Sequence, residues 1–275
     1  MSSLSARTQT TLDYQSISHP VIGENFMVST QNRYAPEIGY EILKKGGNAV
    51  DAAVAVGFAL AVTLPRAGNL GGGGFILIYE KETQKVSSID YRSAAPVAAK
   101  SEMFISDNKV QRFGHLVNAV PGSVAGLLKA HKDHGSLPLP ELLKPSIELA
   151  REGFEVSYDL NYVLEWGKES MLMNETSKKK FYDQSLEPLK VKSIFKQPLL
   201  SKTIEKIAMN GKEAFYEGEI AEWIADESLS NGGLITIQDM SSYEAKYRKP
   251  LETSYRGYKI VTMGPAASGG LVLLQ

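Results

Sequence analysis

The sequence predicts a mixed α and β protein, and three of its stretches carry that prediction. Residues 49–64 are an apolar run lined with alanine and valine around Phe58 and Leu60. Small residues on every side mean close packing on every side, so this run reads as an interior helix. Phe75-Ile76-Leu77-Ile78-Tyr79 follows a glycine run, Lys81 to Lys85 turns the chain, and Val86 to Arg92 runs back, which is the pattern of a β-hairpin. Glu244 to Met263 alternates aromatic, charged and β-branched residues around Gly257 and reads as two or three strands. The chain thus passes from α/β through a helical middle to a strand-rich end. Periodicity alone does not give the topology.

Taken in order, Phe26 to Thr30 is a short apolar run expected as a strand. Pro36 to Lys45 places Ile38, Ile42 and Leu43 on one helical face, and Gly46-Gly47 stops it. Asn48 is placed to cap the alanine-rich helix with Asp51 three residues on, and Pro65 ends that helix. Pro121 suits a first helical position and Gly135 closes the segment. A further helix is expected from Pro140 to Glu152, ended by Gly153. Tyr158 to Lys196, with Lys178, Lys179 and Lys180 in a row, reads as a helix plus an exposed excursion. Helical patterns also cover Leu199 to Asn210 and Ala214 to Ser230, the latter stopped by Asn231-Gly232-Gly233, and Thr236 caps a short helix through Met240.

Composition narrows the chemistry. The 275 residues carry 30 Lys and Arg against 31 Asp and Glu, with 43% hydrophobic and 22% charged residues, as in ordinary soluble globular proteins. A net charge of -1 gives no reason to expect a nucleic-acid or membrane-surface partner, since both favour a basic excess. The absence of cysteine excludes disulfides, thiolate zinc sites, iron–sulfur ligation and a cysteine nucleophile. Covalent catalysis would have to use Ser, Thr, Lys or a carboxylate. Residues 1–25 form a polar, Ser/Thr-rich segment with Arg7 and without the apolar core of a signal peptide, so an export signal is expected to be absent or removed and the compartment stays open. Residues 26–275 read as one partial domain, and the run at 49–64 is too short to cross a bilayer.

Several residues invite a chemical reading. His131 and His134 are three apart on a helix, a spacing that can hold a metal, but nothing nearby clearly joins them and a solvated face is the expectation. Asn174-Glu175-Thr176 matches a glycosylation sequon, a common chance triplet, and Ser123 in Gly122-Ser123-Val124-Ala125-Gly126 is one place too early for a nucleophile elbow. The consecutive glycines at 71–74 lack dinucleotide-fingerprint spacing, and no Lys-Ser/Thr pair follows them. They indicate either a loop packed hard against a neighbour or one bordering a substrate. Arg92, before Ser93-Ala94-Ala95-Pro96, is either a surface ion-pair partner or a carboxylate clamp, because its planar fork grips both oxygens of a carboxylate.

Gly46-Gly47-Asn48-Ala49-Val50-Asp51-Ala52-Ala53 and Ala67-Gly68-Asn69-Leu70 through Gly71–Gly74 to Phe75 resemble blocks of the gamma-glutamyltransferase (glutathione hydrolase) family. The resemblance continues in family order through Asp90-Tyr91-Arg92 with Ala95-Pro96, Val120 to Gly126, Asn231 to Thr236 with Asp239 and Tyr243, Tyr255 to Tyr258, and Ser268-Gly269-Gly270. It implies an α+β fold, the four-layer αββα sandwich of N-terminal-nucleophile hydrolases, made as a precursor that cuts itself into two subunits. It also implies a small-subunit threonine that attacks the gamma-glutamyl amide of glutathione and related gamma-glutamyl compounds. The acyl-enzyme then passes its glutamyl group to water or to an amino acid or dipeptide acceptor, without metal or organic cofactor. Arg92 matches the arginine that binds the alpha-carboxylate of the glutamyl group, although Ser93 stands where the family often has Glu.

The resemblance also implies what this chain lacks. No Thr-Thr-His-aromatic-Ser block exists here, and Thr10-Thr11 is a chance pair at the wrong end, so the catalytic threonine is expected in a missing small subunit. The chain stops at Gln275, inside a helix expected from near Gly270, as a large-subunit fragment would. Gly264-Pro265-Ala266-Ala267 differs from the proline and serine that many members place before Ser-Gly-Gly. The alternatives are a non-catalytic glutamyl-binding scaffold, or a relative acting on poly-gamma-glutamate or on beta-lactam side chains. Relatives are commonly periplasmic, secreted or membrane-anchored.

Overall fold

The computed structural model describes residues 22–105 and 113–275. The expectations resting on Arg7 and Thr10-Thr11, and most of the polar segment 1–25, lie outside the described residues.

A helical body surrounds the alanine-rich helix. α1 (Tyr34–Lys44) packs on α2 (Ala49–Thr63), which also meets α3 (Ser123–His134) and α4 (Leu139–Glu152). Val54, Ala55, Phe58, Ala59 and Val62 of α2 are completely buried, as its small side chains require for contact on several sides. Asn48 accepts from the amides of Val50 and Asp51, while Asp51 accepts from the Asn48 amide, closing the expected capping box. Asp51 also accepts from the Ser136 amide and hydroxyl and the Leu137 amide. The start of α2 is thereby fastened to the α3–α4 turn.

Beyond α4 the chain forms β3 (Phe154–Glu155), α5 (Tyr158–Trp166), α6 (Lys168–Met171), α7 (Glu175–Phe181) and β4 (Ile194–Phe195), with β3 and β4 paired antiparallel. The expected single helix plus excursion is therefore three short helices and half of a small ribbon. α8 (Pro198–Asn210) packs on α4 and is followed by α9 (Glu213–Tyr216), α10 (Glu219–Ser230) and α11 (Ile237–Ser241). The helix expected over 214–230 is broken because Gly218 sits at φ +79°, outside helical geometry.

β1 (Phe75–Glu80), β2 (Lys85–Asp90) and β5 (Lys246–Arg248) form an antiparallel sheet in the order β1-β2-β5. Ile76 faces Ile89, Leu77 faces Ser88, and Asp90 faces both Phe75 and Lys246. Because side chains alternate, Ile76, Ile78, Ile89 and Tyr247 share the face toward α3, and Leu77, Tyr79, Asp90 and Arg248 share the opposite one. Leu77 and Tyr79 are exposed there. β6 (Leu251–Tyr255) and β7 (Tyr258–Thr262) form a separate ribbon whose turn residues Arg256 and Gly257 both have positive φ, the geometry of a two-residue hairpin loop. α12 (Ser268–Leu273) closes the described chain.

Three expectations are corrected. Phe26 to Thr30 forms no strand: among the described residues nothing pairs with it, and an unpartnered apolar run has no ladder to join. Pro121 is not a first helical residue but precedes the Gly122 cap of α3. The second hairpin strand ends at Asp90, which leaves Arg92 in the segment beyond it. No described helix is long and apolar enough to cross a membrane.

Candidate functional site

The segment after β2 is held residue by residue. Tyr91 exchanges both backbone hydrogen bonds with Gly74, at 3.0 and 3.2 Å, and Ala94 does the same with Val120, at 3.1 and 2.8 Å. Between these two pairs sits Arg92. Its amide donates to Asp90 Oδ1 at 3.0 Å, and its carbonyl accepts from the Tyr243 hydroxyl at 2.8 Å. Asp90 is in turn fixed by Arg248, whose Nε donates to Oδ2 at 3.1 Å. Both backbone groups of Arg92 thus have named partners, while its side chain is exposed and joins no ion pair or hydrogen bond among the described residues.

The glycine run makes this arrangement possible. The Gly72 carbonyl accepts from the amides of Gly122 and Ser123, at 2.7 and 3.0 Å, satisfying donors at the start of α3. A Cβ on Gly73 would stand 2.4 Å from the Ser93 nitrogen, and one on Gly74 would meet the Tyr91 hydroxyl at 2.8 Å and its ring at 2.9 Å. Of the two readings left open for the run, hard packing is what the geometry shows: it lies against the segment beyond β2 that carries Arg92.

Arg92 opens onto a cleft of about 480 Å³ that is also lined by Asp90, Ser93, Asp239, Tyr243 and Arg248. Asp239 closes a capping box with Thr236 on α11 and accepts from the Val97 amide at 2.9 Å, tying the far wall of the cleft to the Arg92 segment. Burial works to raise the Asp239 pKa, but the hydrogen bonds from Thr236 and Val97 outweigh it and hold the carboxyl below its usual range. Burial, then the charge of Asp90, then Tyr91 push Tyr243 up to about 12, so its hydroxyl stays protonated and donating at ordinary pH. Asp90 and Asp239 are already engaged, whereas Glu244, Lys246 and Arg92, which also line the cleft, join no ion pair among the described residues; of the two cations, only one is a planar fork, the Arg92 guanidinium. Its chemistry suits two-point capture of a carboxylate.

The other candidates separate. His131 Nε2 lies 2.7 Å from the Leu137 carbonyl, whereas His134 meets Glu80 and the Tyr247 hydroxyl, each at 3.0 Å. The two rings do not converge, and both are partly buried rather than on a solvated face. Among the described residues no group of three or more His, Asp or Glu is placed to hold a metal ion. Asn174 of the sequon caps α7 by accepting from the Ser177 amide, and Ser123 is the first residue of α3. Sequence reasoning named Arg92 but assigned no role to Asp90 or Tyr243 and did not single out Arg248. The short spacing in Asp90-Tyr91-Arg92 was a usable signal for Asp90; nothing local points from Arg92 to residue 243 or 248.

Comparison with known proteins agrees with this architecture. Residues 35–275 match the family model described as Gamma-glutamyltranspeptidase. The chain is 44% identical over 267 residues to a protein named Glutathione hydrolase proenzyme from Escherichia coli, covering 95% of this chain and 46% of that protein. It is 38% identical over 260 residues to the Bacillus subtilis protein of the same name, covering 92% and 44%. It superposes on the crystal structure of Helicobacter pylori gamma-glutamyltranspeptidase with a TM-score of 0.90 at 39% identity, covering 93% of this chain and 74% of that one. A Pseudomonas nitroreducens gamma-glutamyltranspeptidase complexed with L-DON gives a TM-score of 0.85 at 37% identity, covering 92% and 75%. The chain spans about half the length of the curated relatives it matches. In sequence and in fold alike, it belongs to the gamma-glutamyltranspeptidase family.

Proposed function

We propose that this chain is the large-subunit part of a gamma-glutamyltransferase and glutathione hydrolase, and that Arg92 binds the alpha-carboxylate of the gamma-glutamyl group. One observation carries the reading: an exposed guanidinium without an ion-pair partner stands at the mouth of a cleft on a backbone fixed at both its amide and its carbonyl. A substrate clamp needs a fixed origin, and a backbone held at both its amide and its carbonyl supplies one. The donor substrates are glutathione and other gamma-glutamyl compounds. The acyl group passes to water or to an amino acid or dipeptide acceptor.

The nucleophilic threonine is not among these residues, so the reaction needs a second segment, the small subunit. The sheet supports this partner. Leu77 and Tyr79 lie exposed on the same face as Asp90 and Arg248, so an apolar surface runs beside the arginine cleft. A segment laid on that face would cover Leu77 and Tyr79 and bring its own groups close to Arg92.

The test is kinetic, in the product of the complete reading frame. Arg92→Ala should raise the KM for a gamma-glutamyl anilide by ~30-fold or more, the scale for losing the partner of a bound carboxylate. Arg92→Lys should recover only part of it, because an ammonium cannot form the two-pronged contact. An unchanged KM in Arg92→Ala would end the clamp assignment.

A further inference from the structure

The clamp reading leaves open what aims an arginine whose side chain joins no hydrogen bond or ion pair among the described residues. A long exposed side chain samples many rotamers, so its useful orientation rests on where its Cα is held. Two contacts define that point, the Arg92 amide on Asp90 and the Arg92 carbonyl under the Tyr243 hydroxyl.

Of the two, Tyr243 has the stiffer mount. Its ring stacks on Tyr216 with 5.7 Å between centroids and 10° between planes. Tyr216 is completely buried, and its hydroxyl donates to the Pro121 carbonyl at 2.9 Å and accepts from the Ala125 amide at 3.1 Å. The strut therefore runs from the helical layer, through two rings and one hydroxyl, to the backbone of Arg92. Gly122 leaves room for it: a Cβ there would stand 2.2 Å from the Tyr243 hydroxyl and 2.0 Å from the Tyr91 carbonyl. Only hydrogen fits at that position.

We infer that Tyr243 is a positioning residue for substrate binding, acting through its hydrogen bond to the Arg92 carbonyl, with Asp90 holding the same residue from its amide side. This rests on the clamp reading of Arg92. It goes further by placing part of donor affinity on a residue that touches no substrate. Tyr243→Phe keeps the ring and its stack on Tyr216 and removes only the hydroxyl. The backbone of Arg92 then loses one of its two anchors, and the guanidinium spreads over more positions.

The experiment uses the protein from the complete reading frame, with a gamma-glutamyl anilide as donor and glycylglycine as acceptor. Tyr243→Phe should raise donor KM by about 3- to 10-fold, the scale of one hydrogen bond, with kcat within about twofold and acceptor KM unmoved. A purely structural role would reduce the folded fraction, which lowers apparent kcat and leaves donor KM unchanged. Combined with Arg92→Ala, the change should add no further increase in KM, because the group being positioned is gone. Asp90→Asn, which keeps an oxygen for the Arg92 amide but loses the charge that holds Arg248, should also raise donor KM, and it carries the test should Tyr243→Phe not fold. If Arg92→Ala raises donor KM while neither Tyr243→Phe nor Asp90→Asn does, the positioning role is wrong and the clamp stands. If Arg92→Ala leaves KM unchanged, the clamp itself is wrong and this inference goes with it. An additive double variant would also overturn the positioning role.

Discussion

Tyr216 and Tyr243 lie face to face, and their hydroxyls leave the stack toward different targets: Tyr216 serves the start of α3, Tyr243 the carbonyl of Arg92. The pair couples the packing of the helical layer to the segment that carries Arg92. Tyr216→Phe should leave the stack in place but strand the buried Ala125 amide and Pro121 carbonyl. A loss of about 1–3 kcal/mol is expected, read as a lower urea midpoint at unchanged slope.

Close approach between α3 and the segment beyond β2 gives a second expectation. A Cβ on Gly126 would stand 2.0 Å from Tyr91 Cγ, and the Tyr91 ring is itself penned by Gly74. Gly126→Ala must push the ring or the helix, costing about 1–3 kcal/mol or more despite the better helix propensity of alanine. Gly269→Ala on α12 is the matched control. It has open space around it, so the same substitution should stabilise by up to about 1 kcal/mol. Thermal midpoints moving in opposite directions would confirm the contrast.

Legibility followed the range of the forces. The Asn48–Asp51 cap, the Thr236 cap and the hairpin after the glycine run are local, set by side chains within a few residues, and all are present as expected. The failures were non-local. Phe26 to Thr30 has a strand's composition, yet a strand exists only with a partner, and none pairs with it among the described residues. Gly218 lies within a convincing helical pattern, and only its positive φ shows that the chain turns there. At the candidate site, the proposal for Arg92 starts from its motif. The contacts that hold it from 243 and, through Asp90, from 248 span more than half of the chain and follow from tertiary packing alone.

The apolar sheet face can be tested without any assay of turnover. Leu77 and Tyr79 are 43% and 61% exposed, so charged replacements there bury no charge in this chain. Leu77→Lys with Tyr79→Lys should change its stability by less than about 0.5 kcal/mol for each site, the usual range for surface positions. The same pair should abolish assembly with the proposed small subunit, measured by co-purification after co-expression, because it would place two ammonium groups in an apolar contact. Retained assembly would mean that this face is not the one covered.

Asp51 contributes to the acid sensitivity of the fold. Burial would raise its pKa, but the hydrogen bonds from the Ser136 hydroxyl and from the amides of Asn48, Ser136 and Leu137 outweigh burial and lower it. A carboxyl whose folded pKa lies below its unfolded value of about 4 is bound by more protons in the unfolded chain than in the folded one across that interval. Its contribution is therefore complete above about pH 4 to 5 and is lost as pH falls through the folded value. Asp51→Asn keeps one acceptor oxygen but turns an amide group toward two of the donors. It should cost about 2–4 kcal/mol at pH 7. Asp133 and Asp239 are lowered as well, so the native protein keeps part of its acid sensitivity in the variant. The diagnostic is the difference between the two proteins, measured by urea unfolding from pH 7 to pH 2: it should shrink steadily below about pH 4. A difference that stayed constant with pH would show that the loss came from packing and not from the charged state of Asp51.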